Sequence, residues 1–181
     1  MTASLLYWCE VYKKLKYEAL CLDVETEGFN KPISVVGLYQ PKDGLVEHTF
    51  FVRGKDLTLE NLKQAFKSCK LLITYNGLSL DIPKIKQEFP GAIPENIPVL
   101  DLYLFARKLG LDTNLKVLET TLNIDRLFEH TKRRFIAAKL WRKYSLGKNQ
   151  QALLTLIEYN KQDTINLYPI AEQLVAMALK K

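Results

Sequence analysis

The chain has 181 residues and a formal net charge of +6, from 26 Lys and Arg against 20 Asp and Glu. That length suits one domain able to bury roughly 70% of its unfolded surface, and 48% hydrophobic with 25% charged residues is an ordinary globular balance. Three scattered cysteines (Cys9, Cys21, Cys69) and two distant histidines (His48, His130) argue against a zinc site of ordinary ligand spacing and against a disulfide framework.

The segment Met1–Val11 is apolar but carries Glu10, has no basic start and offers no small-residue cleavage site before Tyr12. It reads as an amphipathic helix with Leu5, Leu6, Cys9 and Tyr12 near one face, not as a signal peptide. No run approaches the roughly 18–20 consecutive apolar residues of a membrane helix. A cytoplasmic protein is therefore expected, with residues 1–16 appended as a helix to one domain spanning 1–181.

Ala19–Val24 is an apolar run broken by a single acid, the pattern of a buried central strand. Gly28 and Pro32 punctuate a turn. Ile33–Tyr39 reads as a second strand closed by Pro41 and an Asp43–Gly44 turn, and His48–Arg53 as a third. Short connections make these three antiparallel neighbours. From Leu57 the period becomes helical, with Thr58 as a candidate N-cap and Leu59, Leu62 and Phe66 on one face. Leu71–Tyr75 is a strand after a helix, hence parallel to one already in the sheet.

Leu80–Phe89 is a helix that tolerates Pro83 in its first turn. Val99–Leu102 is a short fifth strand leading into a helix through Leu109. Leu115–Leu122, Ile136–Tyr144 and a long stretch from Gln150 complete the helices, with a kink or break expected just before Pro169. Three antiparallel strands plus helix-linked parallel strands define a mixed α/β fold, in the order of a ribonuclease-H-like arrangement. No glycine-rich phosphate loop follows any strand, which disfavours a dinucleotide-binding fold.

Three short motifs carry chemistry. Asp23 and Glu25 alternate at the end of the first strand, so both side chains point to one face beside apolar neighbours, where unpaired carboxylates are costly. Hard divalent cations favour oxygen ligands and would relieve that cost. Asn76–Gly77 follows the fourth segment of the sheet directly, and Asp81 stands at the next helix's start. On the long C-terminal helix, Leu153, Leu156, Ile157, Leu167 and Leu174 form a buried stripe at about 100° per residue. Asp163 flanks that stripe, one turn after Tyr159. Each motif alone also fits an ordinary role: a strand end in solvent, an N-cap carboxylate, a helix-flank pair. Their joint order is what points to a metal site.

In that order, Asp23-x-Glu25, Asn76–Gly77-x-x-x-Asp81 and Tyr159-x-x-x-Asp163 resemble the three motifs of the DEDD exonuclease superfamily, in its tyrosine-containing branch. More closely, the chain resembles YprB-type ribonuclease-H-like predicted exonucleases, through "LDVETEGF", "LLITYNGLSLDIP", "VLDLYLFARKL", "LKVLETTLNI", "LWRKYSLG" and "LLTLIEYNKQDTINL", from about Glu18 to Leu174. Glu27 departs from the pattern, since many relatives carry a Thr there.

The resemblance implies a 3′–5′ exonuclease with two divalent cations, Mg²⁺ or Mn²⁺, about 3.5–4 Å apart and clamping the attacking and leaving oxygens. Asp23, Glu25 and Asp163 would ligate the tighter ion, Asp23 would also reach the second, and Asp81 would bind through water. Tyr159 would orient the attacking water. Thr26, Asn76, Gly77 and Asn160 would contact the terminal nucleotide or support the site, and Asp101 would be a structural acid rather than a ligand. The partner would be nucleic acid, at single-stranded 3′ ends, with Phe29 a candidate for base stacking. The basic clusters Lys13–Lys14–Lys16, Lys132–Arg133–Arg134 and Arg142–Lys143 suit a phosphate backbone, though they equally suit a solvated face. A same-fold endonuclease and a non-catalytic nucleic-acid-binding module stay open as alternatives.

Overall fold

The structure, a computed structural model, describes residues 4–28, 30–42, 45–126 and 136–180. Phe29, the Asp43–Gly44 turn, His130 and the Lys132–Arg133–Arg134 cluster lie outside the described residues.

Among the described residues five strands, β1 (Ala19–Thr26), β2 (Ile33–Lys42), β3 (Leu45–Val52), β4 (Leu71–Thr74) and β5 (Val99–Asp101), form one sheet in the order β3-β2-β1-β4-β5. The pairs β1–β2 and β2–β3 are antiparallel, while β1–β4 and β4–β5 are parallel. This is the mixed α/β sheet expected from the chain order of short turns and helical crossovers. Pro41 does not close β2, which runs on to Lys42. Beyond Tyr39 that strand pairs only with β3, so the amide that proline lacks is not needed on the β1 side.

Among the described residues, seven α-helices cover the sheet: α1 (Leu5–Leu15), α2 (Leu59–Phe66), α3 (Asp81–Glu88), α4 (Leu102–Leu109), α5 (Leu115–Thr121), α6 (Ile136–Gly147) and α7 (Gln150–Ala178). Thr58 caps α2, its hydroxyl accepting from the Asn61 amide at 3.2 Å. Strand alternation divides the core. Leu20, Leu22 and Leu72 pack toward α2 and α3. Ala19, Cys21, Leu71 and Ile73 pack toward α1, α4, α5 and α7.

The α1 face that enters this second layer is Leu5, Trp8, Cys9 and Tyr12, spaced i, i+3, i+4, i+7. Leu6, expected on that face, is 64% exposed, because one residue past Leu5 rotates it about 100° away. A smaller core joins Val35 and Val52 to Trp141, Leu153, Leu156 and Ile157, seating α6 and the start of α7 on β2 and β3.

The expected break before Pro169 is not there: α7 is a single helix of 29 residues. Its proline leaves the Ile165 carbonyl without the usual intrahelical donor, but the turns on both sides bury Leu167, Ile170, Ala171 and Leu174, and this packing outweighs one lost bond. No helix among the described residues is long and apolar enough to cross a membrane.

Leu22 is fully buried in the central strand. Leu22→Ala is therefore expected to cost about 2–5 kcal/mol in urea unfolding, whereas Leu6→Ala should stay within about 0.5 kcal/mol of wild type.

Candidate metal centre

The site begins with the alternation of β1. The residues Ala19, Cys21, Asp23 and Glu25 occupy every second position, so the face that is apolar at the strand's start carries carboxylates at its end. α7 crosses that face and supplies Asp163, which is 7% exposed. Asp23, Glu25 and Asp163 each place one carboxylate oxygen within 4.8 Å of the others. Oxygens bound to one hard cation at about 2.0–2.6 Å lie no more than about twice that distance apart, so the triangle is of the size a single divalent cation draws together, with some closure needed for the shorter bonds of Mg²⁺. The all-oxygen donor set favours hard cations over zinc or copper, which prefer nitrogen and sulfur ligands.

Asp81, the fourth acid, stands outside this triangle, but its charge bears on both Asp23 and Glu25. It opens α3, and the Thr74 hydroxyl donates to its Oδ2 at 3.3 Å. Gly77, expected at the substrate, has an internal reason to be glycine: a Cβ there would sit 2.0 Å from Thr74 Oγ1. The backbone of the loop thus lies directly on the threonine that holds Asp81.

Asn76 takes φ 58, left-handed backbone that asparagine tolerates. Asp101 fixes this loop, accepting from the amides of Asn76 (2.9 Å), Leu78 (3.1 Å) and Tyr103 (3.1 Å). It is the structural acid expected from the sequence. Thr26 bonds locally, its hydroxyl donating to the Gly28 carbonyl at 3.1 Å.

Asn160, expected at the terminal nucleotide or in support of the site, reaches Asp23. It is fully buried, and its amide donates to Asp23 Oδ2 at 2.7 Å and to the Asp23 carbonyl at 3.3 Å. The feature that admits it is Gly37, the β2 residue paired with Asp23. A Cβ on Gly37 would meet Asn160 Oδ1 at 1.9 Å and Thr164 Oγ1 at 2.7 Å. The helix can lie this close to the sheet only where a side chain is missing.

Tyr159 sets its hydroxyl against Asp163 as a hydrogen-bond donor. Burial, and then the charges of Asp163, Glu25 and Asp23, hold its acidity well below that of a free tyrosine, so the phenol stays protonated.

Sequence reasoning did not find a further set of residues behind Asp163. Arg126 grips Glu119 through two nitrogens, Nε on Oε2 and Nη2 on Oε1 at 2.9 Å. The same Nη2 forms an ion pair with Asp163 Oδ1 at 2.6 Å. Asn166 donates to Glu119 Oε1 at 2.9 Å and accepts from Gln162 at 2.8 Å. Glu119 is 2% exposed. Its position among Leu115, Leu118 and Leu122, an acid on the apolar stripe of α5, was the available signal. Glu27, the departure from the family pattern, forms a 2.7 Å bond with Arg142 of α6.

The pocket's electrostatics suit a cation site. Burial raises the carboxyls of Asp23 and Glu25 well above the usual range, and the neighbouring carboxylates add to it. Asp81 is pushed up to about 7, by burial first, with Thr74 opposing and Asp101 reinforcing. Asp163 is also raised by burial, against the opposing effect of Arg126. Two buried oxygens, Asp163 Oδ1 and Asn160 Oδ1, accept no aligned hydrogen bond. Divalent ions would compensate this concentration of negative charge.

A helix-covered mixed sheet with acids gathered at the end of its central strand is a ribonuclease-H-like domain. Residues 20–175 match the family description of the RNase_H superfamily, and the chain belongs to that superfamily. No curated protein matches the sequence. Among solved structures, the chain is similar to "Exonuclease X in complex with 5′ overhanging duplex DNA", at 13% identity and a TM-score of 0.44, over 84% of this chain and 99% of that one.

Two outcomes test the geometry. An acid whose folded pKa is raised loses its proton in the unfolded chain first. For Asp81, the unfolded state therefore binds fewer protons between about pH 4 and about 7, and stability falls as pH rises through that window. Melting temperatures of metal-free protein should decline across it, Mn²⁺ should reverse the decline at pH 7.5, and Asp81→Asn should lessen it, the rest coming from Asp23, Glu25 and Asp163. Separately, Gly37→Ala should weaken Mn²⁺ binding about 10–100-fold in calorimetry, by displacing the asparagine that orients Asp23.

Proposed function

We propose that this protein is a metal-dependent 3′–5′ exonuclease that hydrolyses phosphodiester bonds of DNA or RNA with two divalent cations, Mg²⁺ or Mn²⁺. The observation that carries this reading is the convergence of Asp23, Glu25 and Asp163 from β1 and α7, with Asp81 alongside. Membership of the RNase_H superfamily supports a nuclease. The tyrosine one helical turn before Asp163 favours trimming from an end.

Asp23, Glu25 and Asp163 would hold the tighter ion, with Asp23 and Asp81 turned toward the second. The ions supply charge stabilisation at phosphorus and lower the pKa of bound water. Asn160 keeps Asp23 in its rotamer through the 2.7 Å bond, so the carboxylate is oriented before any ligand arrives. Tyr159, held protonated, would turn its one O–H from Asp163 to the attacking water, orienting that water rather than taking its proton. The loop pinned by Asp101 carries Asn76, which would meet the terminal nucleotide. Lys14 and Lys143 offer basic surface to a single-stranded 3′ end, while Lys13, Lys16 and Arg142 are paired with Glu10, Glu172 and Glu27.

Incubated with Mn²⁺ or Mg²⁺, the protein should shorten 5′-labelled single-stranded oligonucleotides to a ladder. Asp23→Ala and Asp163→Ala should each lower the rate by at least about a thousandfold, the scale of several kcal/mol of lost charge stabilisation. Tyr159→Phe should lower kcat and leave Mn²⁺ affinity nearly unchanged. One internal cut in place of the ladder would identify an endonuclease, and binding without cleavage in wild type would identify a nucleic-acid-binding module.

A further inference from the structure

A half-buried group that the proposed chemistry does not use is Arg126, paired with the buried Glu119. A buried ion pair is a weak device for stability, since desolvation offsets most of its attraction. Yet this chain buries Glu119 to hold Arg126 by a two-pronged grip, and braces Glu119 with Asn166. That arrangement fixes the guanidinium independently of Asp163. Its Nη2 then stands 2.6 Å from Asp163 Oδ1, an oxygen that is itself buried.

We propose that Arg126 is a positioning residue that restricts Asp163 to ligating through one oxygen, Oδ2, and thereby selects small octahedral cations over Ca²⁺. This rests on the reading of Asp163 as a metal ligand. An ion bound through both oxygens of Asp163 would share Oδ1 with a guanidinium that Glu119 prevents from moving away, setting two cations against one atom. Mg²⁺ and Mn²⁺ are satisfied by single oxygens and retained waters, whereas Ca²⁺ takes about 6–8 oxygens and commonly uses a carboxylate through both. Arg126 thus removes a donor that only the larger ion needs. The fork geometry matters, because one nitrogen plane reaches Glu119 and Asp163 together.

The test is calorimetric titration of EDTA-stripped protein with Mn²⁺ and, separately, Ca²⁺, with circular dichroism to verify folding. Four proteins are compared: wild type, Glu119→Gln/Arg126→Met, Arg126→Lys and Asp163→Asn. The double variant removes both charges together and keeps an amide for Asn166. Its preference for Mn²⁺ over Ca²⁺ should narrow about tenfold, through tighter Ca²⁺ binding. Arg126→Lys should narrow it in the same direction but less, since an ammonium held on Glu119 gives up Oδ1 while keeping its charge.

Equal weakening of both ions, the mark of a merely structural role, would overturn the proposal. So would an unchanged ratio, and if the double variant fails to fold, Arg126→Lys decides alone. Asp163→Asn separates the two readings. Undiminished Mn²⁺ binding in that variant sinks the metal centre itself, whereas lost binding there with an unchanged ratio in the arginine variants sinks only the role of Arg126.

Discussion

Carboxylates that repel one another do not gather in a protein interior unless the backbone leaves them no alternative. In this chain the constraint is strand alternation. Ala19 and Cys21 must face α7 to complete the core, so Asp23 and Glu25, two and four positions further on, face it as well. Slipping β1 by one residue would free the acids but would also turn Leu20 and Leu22 out of the opposite layer. The apolar half of the strand holds the acidic half in place, and Asp163 arrives because the same helix that covers Cys21 continues past the strand's end.

Close backbone approach is the second device. Gly37 lets Asn160 reach Asp23, and Gly77 lets the loop after β4 rest on Thr74, which holds Asp81. In both cases a missing side chain on one segment makes room for a polar group that orients an acid on another. The acids are therefore supported from behind by hydrogen bonds made in the folded protein alone, which is the preorganisation a metal site requires. Asp101 extends the pattern, since three backbone amides on one carboxylate give the loop that carries Asn76 a single conformation.

The Arg126–Glu119–Asn166 network connects the segment after α5, α5 itself and α7 behind Asp163. The charges of Arg126, Glu119 and Asp163 offset one another only together. Such a group resists piecemeal change, because removing any one leaves another charged and buried. It also places a fixed positive charge at the edge of a strongly negative pocket, which opposes the rise that burial imposes on Asp163.

What the sequence determined by itself is what short-range periodicity encodes. The five strands, their parallel and antiparallel senses, the helices that cover them, and Asp101 as a supporting acid were legible, because periods of two and 3.6 and turn lengths are local properties. Asp23, Glu25, Asp81 and Asp163 were legible as candidates for the same reason. Tertiary structure alone decided the rest. It showed which three acids converge, that Asn160 serves Asp23, why Gly37 and Gly77 lack side chains, and that Arg126 meets Asp163. It also decided that Leu6 turns outward and that α7 continues through Pro169. These outcomes depend on contacts between residues as much as 137 positions apart, such as Asn160 with Asp23. Such contacts depend on how a helix is seated on a sheet, and no window of neighbouring residues encodes that.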